Sequence, residues 1–190
     1  MSALLALLLA LGSVEIASSG DREMLDAFRA ACERADDLER MRSDALASGW
    51  EEIPASADPR VERLNRSGRE MVGEEGGRIT GANFRRTLGD RRLFLILSRW
   101  EGEDGIWGNG CRLYHFEAGE EIAPAALEAW IGRPPTGVQQ LPGIGVKRLW
   151  EPGWRDGVSL EINHIPANSE IVERFGLSGN ILVAQAIGGF

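Results

Sequence analysis

Residues 79–100 read ITGANFRRTL-GD-RRLFLILSRW, two runs of β-forming residues joined by Gly89-Asp90. A Gly-Asp pair between such runs predicts a hairpin with strands over 79–88 and 91–100. In the second run Leu93, Leu95 and Leu97 alternate with Phe94 and Ile96. Successive side chains of a strand point to opposite faces, so both faces of this one are apolar. Such a strand belongs in the middle of a sheet, with a packed layer on each side.

N-terminal to the hairpin, Met24, Leu25, Phe28, Ala31, Cys32, Ala35, Leu38, Met41 and Ala45 recur at three- and four-residue steps. That spacing predicts one long helix, capped by Asp21, burying one face and stopping at Gly49. Residues 51–57 read as a loop. Asp58-Pro59 reads as an N-cap followed by Pro at the first helical position, opening a short helix to Arg66 that stops at Gly68. C-terminal to the hairpin, Trp100 to Gly110 carries four glycines and reads as a mobile surface loop. A strand is expected over Cys111–Glu117, with Cys111, Leu113 and His115 on one face and Tyr114 and Phe116 on the other. A helix over Pro124–Ile131 follows, closed by Gly132. Strands near Val146–Glu151 and Val158–Ile165, a short helix capped by Asn168-Ser169, and a strand over Ile181–Ile187 complete the chain. The expected fold is α+β: a long N-terminal helix packed on a mainly antiparallel sheet of about five or six strands.

With 43% hydrophobic and 26% charged residues in 190, the chain can bury a core. Its net charge of −8 argues against nucleic acid, whose phosphates need a basic stripe, and against docking on an anionic membrane. Leu4 to Leu11 is an apolar run too short for a membrane span, which takes ~20 residues. Small residues at Ala17, Ser18 and Ser19 follow it. The pattern is read as a signal peptide over residues 1–19, cleaved after Ser19, preceding a single α+β domain over 20–190. No Lys or Arg precedes the apolar run, and the alternative is a buried N-terminal helix. Export gives a periplasmic or secreted protein. The only two cysteines, Cys32 and Cys111, then form one disulfide joining helix to strand.

No G-x-S-x-G elbow, Walker loop, H-E-x-x-H or C-x-x-C is present. His115 and His164 are the only histidines. Strand alternation allows them to share a sheet face, where Glu117 or Glu161 would complete an acid–base pair. The competing reading is two strand-end side chains bonded locally. The acidic loop from Glu101 to Gly105 lacks the one-three-five spacing of a calcium loop. Six tryptophans stand against one tyrosine. Trp50 and Trp130 read as core anchors. Trp107, Trp150 and Trp154 lie in or beside Gly-rich segments, where a binding platform competes with ordinary packing.

The helix with its cysteine, the Gly49-Trp50 stop and the run Cys111-Arg112-Leu113-Tyr114 resemble those of small exported bacterial proteins of unknown function. The resemblance implies no activity and brings no site residue. The sequence therefore points to a non-enzymatic accessory module that binds a protein or small ligand through loop surfaces, with no cofactor and no metal. The alternative is a hydrolase using His115 or His164 with a carboxylate.

Overall fold

A computed structural model describes residues 18–190 of the chain. The expected leader lies outside the described residues except for its last two positions. Those two belong to the fold: Ser18 caps helix α1 (Ser19–Cys32), its Oγ accepting the Asp21 N–H at 3.1 Å. Cleavage after Ser19 would remove that cap.

The expected long helix is two helices. α1 ends at Cys32, and α2 (Leu38–Ala47) starts afresh with Asp37 as its cap, accepting the Arg40 N–H at 3.0 Å. A capping side chain at Asp37 competes with continued helix and wins here. The apolar spacing runs across the break because Ala35 within it is buried too. Spacing alone therefore cannot report the interruption.

α2 is followed by β1 (Glu51–Ile53), in a segment read as loop. Next comes α3 (Pro59–Glu74), capped by Asp58 as expected. α3 runs through Gly68, past the predicted stop. A Cβ at Gly68 would meet Ile79 at ordinary contact distance, so the helix lies close on the sheet there.

The hairpin forms as read: β2 (Arg78–Leu88) and β3 (Arg91–Glu101) pair with Leu88 opposite Arg91 and Phe84 opposite Leu95. β4 (Trp107–His115) begins four residues earlier than expected. The loop expected over Trp100–Gly110 is therefore mostly strand. Only residues 102–106 turn, closed by Gly102 N–H to the Ile106 carbonyl at 2.8 Å, and Trp107–Gly110 is strand, paired on both sides. α4 (Pro124–Ile131) has its expected ends, with Gly132 left-handed behind it. β5 (Gly137–Leu141), β6 (Gly145–Trp150), β7 (Ser159–Ile165), α5 (Glu170–Phe175) and β8 (Gly179–Gly188) follow.

Among the described residues, all eight strands join one antiparallel sheet in the order β1-β2-β3-β4-β8-β7-β6-β5. The fold is α+β with an antiparallel sheet, but with eight strands instead of five or six. The two unread strands, β1 and β5, are the short edge strands. They carry little apolar alternation because an edge strand shares its faces with solvent.

Two cores lie on opposite sides of the sheet. The larger collects Met24, Leu25, Phe28 and Met41 from α1 and α2, Leu127 and Trp130 from α4, and the rows Leu93-Leu95-Leu97 and Leu113-Leu182-Ile162 from the sheet. The smaller, under α3, holds Ile53, Val61, Phe94, Ile96, Tyr114, Phe116, Ile181 and Val183. The two-faced reading of β3 holds: Leu93 through Leu97 are all buried. The Cys32–Cys111 disulfide forms, with Cα atoms 5.6 Å apart, tying the end of α1 to β4 in the larger core. Among the described residues, no helix is long and apolar enough to cross a membrane.

Candidate functional site

The histidines share a face, as strand alternation allowed. His115 on β4 pairs with Asn180 on β8, and Asn180 pairs with His164 on β7. Laterally paired residues point to the same side, so His115, Asn180 and His164 form one row at the end of the sheet on the α1/α4 side. No sequence pattern marks Asn180, between the two histidines. It precedes the expected start of the last strand, and its importance comes from register, which the sequence does not print.

Asn180 is 4% exposed and bonded at both its amide oxygen and its amide nitrogen. Its Nδ2 donates to the Glu120 carbonyl at 3.1 Å, and its Oδ1 lies 2.9 Å from His164 Nδ1. Gly179 makes this placement possible. Its φ is +86°, and a Cβ there would collide with the His115 carbonyl. Beside His164 opens a pocket of ≈ 410 Å³ whose lining includes Glu121, Gln140, Val146, Pro166 and Asn168. Gly145 forms one wall, where a Cβ would strike the His164 carbonyl. Glu121 Oε2 accepts from Arg148 Nη1 at 2.9 Å, and the Arg148 side chain is only 8% exposed.

The carboxylates expected beside the histidines are elsewhere. Glu117 turns toward α3, where its Oε1 accepts from Arg60 at 2.9 Å and from Arg92 at 3.4 Å. Burial pushes the Glu117 carboxyl up, but the hydrogen bond and charge of Arg60 outweigh it and hold the group below its ordinary range. Arg60 is itself fixed by Asp58 at 2.9 Å and lies 4.3 Å over the Phe116 ring. Glu161 pairs across β8 with Val183, on the α3 side, and its carboxylate meets Lys147 Nζ at 2.8 Å. Neither acid bonds a histidine, and Glu117 acts on His115 only through its charge. His115 is half-buried, and burial first, then the nearby Arg91 charge, depress its pKa. Both effects favour the uncharged ring.

The three loop tryptophans pack. Trp150 is 0% exposed in the larger core. Trp154 is half-buried against Phe28 and Trp130, with ring centroids 5.5 and 5.8 Å away. Its indole N–H reaches the Glu33 carbonyl at 3.3 Å, and its neighbour Arg155 reaches Asp36 at 2.8 Å. The segment thus clamps the break between α1 and α2. Trp107 lies across Gly188, under the Arg99 guanidinium at 4.6 Å. Trp50 and Trp130 are buried as expected. No three His, Cys, Asp or Glu residues cluster for a metal among the described residues.

No protein-family model, curated protein or solved structure matches the chain.

Proposed function

We propose that this protein is a non-enzymatic binding module whose ligand sits in the pocket beside His164. The observation that supports this reading is the division of labour around that ring. One nitrogen is committed to a buried amide, Asn180, while the ring lines an open pocket with Gln140, Asn168 and Glu121. A few convergent polar groups in a concavity of this size suit small-molecule recognition. Hydrolysis by a histidine with Glu117 or Glu161 gains no support, because both acids are held by cations on the other side of the sheet.

The test is nuclear magnetic resonance of the folded protein during addition of sugars, amino acids and organic acids, one class at a time. Shifts confined to Gln140, His164 and Asn168, and lost in His164→Ala, are expected for one class. Silence at these positions across all classes overturns the reading. The module is further proposed to act after export, in the periplasm or outside the cell, which agrees with its disulfide. N-terminal sequencing of protein from the exported fraction checks this; an intact Met1 would count against it.

A further inference from the structure

Two hydrogen bonds in series define which proton His164 carries. The Glu120 carbonyl can only accept, so the Asn180 group beside it at 3.1 Å is the amide nitrogen. Asn180 therefore turns its oxygen toward His164, 2.9 Å from Nδ1. An amide oxygen can only accept, so Nδ1 carries the hydrogen. The neutral ring then has its lone pair on Nε2, and no described residue bonds that atom. Asn180 is buried, so solvent cannot substitute for either bond.

The rest of the pocket narrows what this acceptor is for. Glu121 adds a carboxylate, but the buried Arg148 guanidinium already balances its charge. Gln140 and Asn168 are uncharged and both donate and accept. Val146 and Pro166 offer apolar surface between them. Among the lining side chains no charge is left unbalanced; Glu170, whose carboxylate lies by Gly143, is exposed and outside that lining. Hydroxyl groups match this lining best: each donates once to an acceptor such as Nε2 and accepts from an amide. Resting on the reading of this pocket as a binding site, we infer that the Glu120–Asn180–His164 relay fixes His164 as the Nδ1–H tautomer and that the pocket takes an uncharged, polyhydroxylated ligand of the sugar class.

The probes are glucose, acetate and methylammonium, each titrated into the folded protein. Imidazole nitrogen resonances of His164 are read in the same samples. The expected result is the Nδ1–H tautomer before any addition, and pocket shifts with glucose but with neither ion. His164→Asn keeps a donor near the Nδ1 position and removes Nε2. It should retain the fold and weaken glucose binding by about tenfold, the loss of one hydrogen bond. Asn180→Leu should release the tautomer if it folds; the measurement on the unmodified protein stands if it does not. An Nε2–H tautomer, or shifts with acetate or methylammonium in place of glucose, overturns the ligand class and leaves the pocket a binding site for something else. Silence from all three probes also overturns the class, and the binding reading then rests on the wider panel of compounds.

Discussion

β3 and β6 belong to one sheet yet live in different surroundings. β3 has helices on both sides, with α1 and α2 over Leu93, Leu95 and Leu97 and α3 over Phe94 and Ile96. β6 has a core on one side only: Val146, Arg148 and Trp150 are buried, while Lys147 and Leu149 between them are half-buried. The sequence carries only half of this contrast: β3 is a continuous apolar run, while Val146-Lys147-Arg148-Leu149-Trp150 does not alternate in polarity and only its burial does. Stability is therefore concentrated in the twice-covered half, and the once-covered half is free to carry polar side chains. The candidate pocket lies at the once-covered end.

The largest effect should come from the disulfide, which joins α1 to β4 in the twice-covered half. Its cysteines are 79 residues apart. In the chain-entropy picture, opening a loop of that length costs about 4.5 kcal/mol. Replacing Cys32 and Cys111 together by Ala should lower the urea midpoint accordingly while β5–β7 keep their amide protection pattern. A midpoint within error of the parent would show that the bridge adds nothing to a helix already packed.

A pair of leucines tests the contrast directly. Leu95 is fully buried in the row Leu95–Leu113–Leu182, while Leu149 sits on the uncovered side of β6. Leu95→Ala should cost about 2–5 kcal/mol and Leu149→Ala below about 1 kcal/mol, because little cavity forms where one side is open. Equal losses in urea titrations would mean that something covers β6 in solution.

The same contrast separates the elements that are legible in the sequence from those that are not. β3, the α3 cap at Asp58-Pro59, α4 and the cysteine pair were legible because each rests on local spacing or composition. The α1–α2 break was not, since Ala35 keeps the apolar period through it. β1 and β5 were not, since edge strands lack the pattern. Of the candidate site, alternation allowed the two histidines a shared face, but only strand order puts them in one row. Asn180 and the Glu121–Arg148 pair arise from strand order, which brings together residues far apart in the chain. Glu117 and Glu161 failed as partners for the same reason: their cations, Arg60 and Lys147, come from other elements.

A smaller effect is expected where α3 is pinned to the sheet. Asp58 both caps α3 and pairs with Arg60. Its hydrogen bond to Arg60 outweighs the burial that pushes the other way and lowers its pKa below the ordinary value of 3.8. A carboxylate depressed on folding adds stability that is present above its unfolded pKa and is lost as the pH falls through the folded one. The acid limb of stability below about pH 4 should therefore flatten in Asp58→Asn, which keeps a capping side chain. Asp58→Ala should lose about 1 kcal/mol more at neutral pH, the value of the cap. An unchanged acid limb in Asp58→Asn would show that the pair with Arg60 is screened away.

The smallest effect concerns His115, at the sheet end where the two halves meet. Burial, and then the charge of Arg91, disfavour its protonated form in the folded protein. The unfolded chain has the ordinary imidazole pKa of about 6.5 and binds the proton first. Between that value and the lower folded one, the unfolded state carries more protons, so stability rises with pH. The contribution is complete above the unfolded value and fades as the medium is acidified through the window. His115→Gln, which cannot titrate, should remove this slope while leaving stability at higher pH nearly unchanged. Chemical unfolding at a series of pH values through and below that of ordinary imidazole, parent against variant, reads it directly. A slope of opposite sign in the parent would mean that the nearby acids, Asp21, Asp90 and Glu117, outweigh Arg91 and burial at His115, and that this end of the sheet is wetter than its packing implies.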